Sequence, residues 1–286
     1  MLDPDALLRF FAIRGRSLPW RDAGATPWRV LTSEVMLQQT PVVRVVPVFD
    51  AWMERWSTPA ALAAGPSGEP VRAWGRLGYP RRALRLWQSA GQIVERFGGE
   101  VPTTVTDLLT LPGVGHYTAR AVAAFGDGRR VPVVDTNVRR VMNRVIRGTD
   151  DAGPATPVDL MLMETQLPQP PTVAARFSAA VMELGALVCT AATPSCDECP
   201  LRDQCRWRLA GSPPSEVKRR TQAWHGTDRQ VRGRILAVLR EADEPLTPAV
   251  LAAAWPEPAQ WSRCLESLVA DGLTERTADG RLTLPR

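Results

Sequence analysis

Apolar residues recur at spacings of three and four through most of the first 210 residues, as in Val30-Leu31-Glu34-Val35-Leu37 and Val122-Ala123-Phe125. That period belongs to amphipathic helices. Short Gly/Pro breaks separate the helices, and the proline-rich stretch Pro168 to Pro171 falls inside this region rather than between domains. After Gly211-Ser-Pro-Pro214 comes a polar stretch that reads as a linker over 211–228. Beyond it Ile235, Leu236, Val238 and Leu239 mark one helix and Leu246 to Ala253 a second. A third runs from about Glu257 to Ala270, with Cys264, Leu265 and Leu268 inward. The tail from Leu273 to Leu284 alternates about Asp279-Gly280, a hairpin signal. Three helices and a hairpin predict a small winged-helix-like domain over 229–286. It could bind nucleic acid or only dock on its neighbour, and its mixed charges do not choose.

The chain has 286 residues and is 44% hydrophobic, enough to bury a substantial core and to form more than one compact unit. No apolar run reaches the roughly 20 residues of a membrane span, and the N-terminus lacks a signal peptide's basic and apolar regions. A cytoplasmic protein is expected. Lys+Arg exceed Asp+Glu by 35 to 30, and Lys218 is the only lysine. Arginine's donor fork suits phosphate, although composition bias alone would give the same excess.

Four of the five cysteines form Cys189-x6-Cys196-x2-Cys199-x5-Cys205. In a reducing compartment, clustered cysteines more often bind metal than pair as disulfides. Four thiolates suit zinc or a [4Fe-4S] cluster, and the spacing does not separate them. Cys264, alone on an apolar face, reads as a core residue.

Leu111-Pro-Gly-Val-Gly115 stands between two helical runs. Gly113 and Gly115 permit a turn that exposes backbone N–H groups, and a helix starting near His116 adds its positive end, a setting that favours phosphate. No strand precedes the loop, so a dinucleotide fold is not indicated. Further on, Asp135 precedes the helix Thr136 to Val145 and suits an N-cap. Arg139, Arg140, Arg144 and Arg147 follow it and are expected on the exposed side. A carboxylate beside a phosphate surface is electrostatically misplaced unless positive charge develops on the substrate, as in an oxocarbenium-like sugar. Glu34, amid apolar residues, either points to solvent or holds a proton to donate. With Asp135 it would complete a two-carboxylate arrangement in which one group protonates a leaving group and the other steadies a sugar.

The segments Leu18-Pro-Trp-Arg21, Ser33-Glu-Val-Met-Leu-Gln-Gln-Thr40, Leu77-Gly-Tyr79, Leu111 to Thr118, Val134-Asp-Thr-Asn-Val138, Met182-Glu-Leu-Gly185 and the cysteine loop resemble the helix-hairpin-helix DNA glycosylases, and within them the adenine glycosylases acting on adenine opposite 8-oxoguanine. The resemblance implies a mostly α fold of two helical modules facing a DNA cleft: residues 1–24 and 130–210 around a [4Fe-4S] cluster held by Cys189, Cys196, Cys199 and Cys205, and residues 25–129 as a six-helix barrel with the helix-hairpin-helix. It implies that Glu34 protonates adenine and Asp135 steadies the sugar cation. Tyr117, Asn137 and Glu183 would support them. Arg21, Gln39, Thr40, Leu77, Tyr79, Gly113, Gly115 and His116 would meet DNA, with Gln39 and Tyr79 entering the base stack. The flipped adenine costs least to unstack at a mispair.

Endonuclease III-like relatives, which stay open as an alternative, carry a nucleophilic lysine where this chain has Tyr117, so Schiff-base strand cleavage is expected to be weak. Thymine-mismatch glycosylases keep a tyrosine and stay open as an alternative, as does a DNA-lesion binding protein without activity. Adenine glycosylases commonly end in a larger domain that reads 8-oxoguanine, and 229–286 is too short for it. The expected partner is double-stranded DNA with A/8-oxoguanine or A/G mispairs. A nucleoid-associated monomer with no membrane attachment is expected.

Overall fold

The computed structural model describes residues 1–286 apart from 23, 152, 215–223 and 254. Half of the expected linker over 211–228, residues 215–223, therefore falls outside the described residues. In chain order the helices are α1 (Pro4–Arg14), α2 (Pro27–Leu37), α3 (Val42–Arg55), α4 (Pro59–Ala63), α5 (Gly68–Ala73), α6 (Arg81–Phe97), α7 (Val105–Leu108) and α8 (His116–Ala121). They continue with α9 (Thr136–Met142), α10 (Pro157–Gln166), α11 (Pro171–Leu187), α12 (Arg206–Leu209), α13 (Asp228–Glu241), α14 (Pro248–Ala252) and α15 (Pro258–Ala270). Two short strands, β1 (Glu275–Arg276) and β2 (Leu282–Thr283), close the chain.

The helix starts follow local chemistry. Asp3, Thr58, Thr104 and Asp135 each accept a backbone N–H of the first turn they cap. Thr156 and Asp159 form a reciprocal capping box. Both α8 and α9 run on into a wider π turn, Val122–Gly126 and Asn143–Arg147. Gly148, with φ 77°, ends the second of these in the left-handed conformation.

Two compact units result. The first comprises Met1–Leu31, Thr103–Leu109 and Val114–Arg220, so α8 and the residues that follow it cluster with the N-terminal helix and the cysteine loop. Its core joins Leu7 and Phe10 of α1, Val138 and Val141 of α9, and Phe177 and Val181 of α11. The second unit comprises Thr32–Pro102, Thr110–Gly113 and Thr221–Arg286, which places the C-terminal helices with α3–α6. Three tryptophans stack edge-on in it, Trp52 lying 4.6 Å from Trp56 and 5.6 Å from Trp74.

The expected C-terminal hairpin forms, with Glu275 opposite Thr283 and Arg276 opposite Leu282. Gly280 supplies the positive φ of 79° that its turn requires. Leu246 adds a bridge to Leu282, giving the sheet edge a winged-helix-like fold needs. Cys264 is buried on α15, as a core residue should be.

Candidate active site and nucleic-acid interface

In the first unit, Asp135 sits half-buried before α9, in the extended conformation of an N-cap. Its Oδ1 accepts the backbone N–H of Val138 at 2.7 Å and its Oδ2 accepts Asn137 Nδ2 at 2.8 Å. Burial raises its carboxyl above the ordinary range, opposed by those hydrogen bonds and by the charge of Arg140. Asn137 is held from its other end, because Arg140 Nη2 donates to Asn137 Oδ1 at 2.7 Å. The same guanidinium donates to the carbonyls of Gly185 and Cys189, each at 2.6 Å. A Cβ at Gly185 would lie 2.8 Å from Asn137 Cβ, so only glycine lets α11 approach the first turn of α9 this closely. The carboxylate is thus oriented by a chain running from α11 through Arg140 and Asn137, and sequence reading missed Arg140.

Tyr117, in the first turn of α8, packs against Ala121, Ala124 and Val133 beside Met182. Val133 lies two residues before Asp135, so the ring is fixed near the strand of chain that delivers the cap. Gly115 begins α8 with no side-chain cap, and both Gly115 and His116 are exposed. The start of that helix, its positive end, therefore lies at the surface.

Glu183 is fully buried on α11. Its carboxylate accepts Arg16 Nε at 2.6 Å and Nη2 at 3.0 Å, the Arg16 backbone N–H at 2.9 Å, and Arg21 Nη1 at 3.0 Å. Burial disfavours its charge, but these donors outweigh burial and hold it down to about 2. Arg21, expected at DNA, spends its guanidinium on this pair and on the ring of Phe11 at 5.5 Å.

Of the arginines after Asp135 only Arg147 is exposed, so they do not together form the exposed phosphate surface expected of them. Arg144 is 1% exposed and pairs with Asp150, while Arg139 and Arg147 converge on the buried carboxylate of Asp159. Their charges are spent inside the unit. Arginine residues at i, i+1, i+5 and i+8 give no sign of this, because Asp150 and Asp159 lie in a loop and a later helix.

The cysteines require a second correction. Cys189, Cys196, Cys199 and Cys205 line one small pocket with Arg144 and Trp207. Among the described residues, however, no group of three or more His, Cys, Asp or Glu side chains is set to hold a metal ion. This overturns the expected [4Fe-4S] cluster, the metal-ligand role of the four cysteines, and the iron-sulfur part of the resemblance. Burial raises the thiols of Cys189 and Cys199, the latter to about 11. Arg144 Nη1 instead approaches Cys189 Sγ at 3.5 Å, and Cys205 Sγ approaches the Arg144 carbonyl at 3.5 Å. Spacing along the chain did not fix where the sulfurs and arginines meet.

In the second unit, Glu34 is buried on α2, at 7% exposure. Gln39 and Tyr79, the two residues expected in the base stack, have left-handed φ of 54° and 48°. Both lack the glycine that would make this backbone comfortable, and such strain collects at functional turns. Arg82 holds the two turns together. Its Nη1 donates to the carbonyls of Val35, Met36 and Gln38 at 2.8, 2.9 and 2.7 Å. Its Nη2 donates to Thr40 Oγ1 at 3.0 Å and to the Gly78 carbonyl at 2.8 Å. Desolvation lowers this guanidinium to about 10, which leaves it charged at neutral pH. Nothing in the sequence distinguished Arg82 from Arg81. Leu77 and Thr40 are buried, and Thr40 Oγ1 donates to the Leu77 carbonyl at 3.1 Å, so they brace the turns. In the glycine loop, Gly113 has φ 80°, and a Cβ there would lie 2.9 Å from Arg85 Cβ.

Residues 32–158 match the HhH-GPD superfamily of base excision DNA repair proteins. Over 284 residues the chain is 54% identical to an adenine DNA glycosylase of Mycolicibacterium smegmatis, covering 99% of this chain and 96% of that protein. The chain belongs to the adenine DNA glycosylases. A second glycosylase of this name, from Mycobacterium tuberculosis, is 54% identical over 98% of this chain and 92% of its own length. Among solved structures, a thermostable thymine-DNA glycosylase superposes with a TM-score of 0.66 at 26% identity, covering 72% of this chain and 95% of the other. The similarity to the adenine enzymes thus extends through the C-terminal helices.

Proposed function

We propose that this glycosylase excises adenine mispaired with 8-oxoguanine or guanine, acting by hydrolysis without strand cleavage in base excision repair. The observation that carries the reading is the similarity to adenine DNA glycosylases along nearly the whole chain. Glu34 donates a proton to the flipped adenine, the N-glycosidic bond breaks, and its electron pair leaves with the base. The sugar is left with oxocarbenium character, which the Asp135 carboxylate steadies until water adds at the anomeric carbon and gives up its extra proton to solvent. Asp135 suits this task because uncharged donors orient it and no arginine is hydrogen-bonded to its oxygens among the described residues. Tyr117 offers no amine, so no Schiff base forms and the sugar remains on the strand. Gln39 and Tyr79, already held in strained turns, fill the stack the adenine vacates. The exposed Gly115 and His116 meet the DNA backbone. Double-stranded DNA is the partner, and no helix among the described residues is long and apolar enough to cross a membrane. We place the protein at the cytoplasmic nucleoid, acting as a monomer.

Single-turnover base release from A/8-oxoguanine, A/G, T/G and oxidised-pyrimidine duplexes tests the reading. Release of adenine from the first two is expected, and release confined to T/G would overturn it. Duplex binding without release of any base would leave a lesion-binding protein. Glu34→Gln should bind duplex as the wild type does while releasing adenine at least about 100-fold more slowly, the scale of a lost general acid. A wild-type rate in that variant would remove Glu34 from the mechanism.

A further inference from the structure

The C-terminal helices are anchored to the unit that carries Tyr79. Arg72 donates to the carbonyls of Arg240 and, at 3.1 Å, Ala242, while Arg240 Nε donates back to the Val71 carbonyl at 2.9 Å. Asp271 accepts from Arg81 and from Arg232. A Cβ on Gly68 would lie 2.2 Å from the Pro285 carbonyl oxygen, which leaves the two segments no room to separate their backbones by a side chain. Residues 228–286 are therefore docked on α5 and α6.

This docking brings one cation to Tyr79. Arg229, in the first turn of α13, donates from Nη1 to the phenol oxygen of Tyr79 at 3.0 Å. Its guanidinium lies 5.8 Å from the Tyr79 ring centroid and 4.8 Å from that of Trp224. Arg82 stands 5.6 Å from the same Tyr79 ring. The one ring thus lies near two guanidiniums, one from the start of α6 and one from the C-terminal segment. Among the described residues Arg229 makes no ion pair. The neighbouring Asp228 carboxylate is taken by Arg263 at 2.8 Å and by Gln260 at 2.9 Å. Tyr79 and Trp224 are 40% and 46% exposed, so this cation and its two rings lie at the surface.

We propose that Arg229 is a positioning residue through which the C-terminal domain holds Tyr79 in its DNA-facing posture, so that this short domain takes part in discriminating the mispair. The proposal rests on Tyr79 entering the base stack. A phenol already tied at its oxygen reaches the duplex in one orientation, and a mispair that fits that orientation gains over one that does not. The domain thereby acts on recognition through a single hydrogen bond and a cation–π contact, without contacting the base itself.

The test uses the full chain and four variants: Arg229→Ala, Arg229→Lys, Tyr79→Phe, and the Ala and Phe changes combined. Two ratios are read: single-turnover adenine release from A/8-oxoguanine over A/G duplex, and duplex affinity for the mispair over a matched A/T. Arg229→Ala should lower both ratios about threefold to tenfold, the scale of one partly exposed hydrogen bond and cation–π contact. Its melting temperature should stay at the wild-type value. Arg229→Lys, which keeps a donor for the phenol, should recover part of the loss. Tyr79→Phe should reproduce the loss, and the double variant should be no worse than either alone. Unchanged ratios, additive losses, or a loss that tracks melting temperature would overturn the proposal. If the wild type releases no adenine, the proposed function fails, and the affinity ratio alone then decides the role of Arg229.

Discussion

At the start of α9, Asp135 accepts hydrogen bonds only from uncharged donors, and burial raises its carboxyl. Midway along α11, Glu183 accepts from two arginines and is held near 2. Both acids belong to the first compact unit, and both were candidates for catalysis. The difference shows that a site's chemistry lies in the partners of an acid rather than in its presence. A carboxylate saturated by Arg16 and Arg21 has no lone pair or charge to spare for a substrate. One oriented by an amide and a backbone N–H retains both. Glu183 fixes the segment Arg16–Arg21 to α11, and Asp135 keeps the unpaired charge that its proposed role requires.

Removing the saturated acid should have the largest effect. Glu183→Ala leaves two guanidiniums facing a buried void, and breaking such a pair costs about 3–5 kcal/mol. Denaturant unfolding should show that loss, and a change under about 1 kcal/mol would break the contrast between the two acids. The second effect is chemical. Asp135→Asn keeps an equally good N-cap, so stability should move by only about 0.5 kcal/mol. Adenine release should nonetheless slow by about 10²–10³, the usual cost of removing one electrostatic stabiliser of a transition state. Equal losses of stability and rate would make Asp135 a cap and nothing more.

Arg140→Met should lie between these in kind and below them in size. It frees Asn137 and leaves the Gly185 and Cys189 carbonyls without this donor, at about 1–3 kcal/mol. Release should slow with little change in duplex affinity, as measured by single-turnover kinetics beside a binding titration. The smallest effect is in pH dependence. Glu183 lies below its ordinary 4.5 when folded, so its contribution is fully present above about 4.5 and is lost as pH falls through about 2. Asp135 is raised above its ordinary 3.8, so it favours the folded state below that value and loses this favour as pH rises through its folded value. Asp135→Asn should therefore melt slightly above wild type at pH 7, and the gap should close on acidification. A gap that widens towards acid pH would reverse the assigned direction.

Much of the local structure was legible in residue order. The helical period placed α2 and α9. Asp135 read as an N-cap, and Asp279-Gly280 as a hairpin turn. Such features depend on groups a few positions apart, whose geometry the backbone period sets. Arg82 was not legible, because its acceptors lie on the end of α2 and on the turn around Gly78, 47 and 4 residues away. The arginines after Asp135 misled for the same reason. Their spacing suggested one exposed basic face, whereas Asp150 and Asp159 pair with three of them and only Arg147 stays exposed. The cysteine run misled in another way, since closeness in sequence says nothing of how far burial suppresses a thiolate or where Arg144 will lie.

By itself the sequence determined the helical period, the caps and turns, the glycine loop, and the acids that could carry chemistry. Each follows from interactions within a turn or two of chain. Only the tertiary structure decided that Glu183 is neutralised by Arg16, 167 positions distant, while Asp135 is not. It also decided which cations face inward and that the C-terminal helices reach Tyr79. Charge state and exposure depend on desolvation and on partners brought together by folding, and no local pattern encodes them.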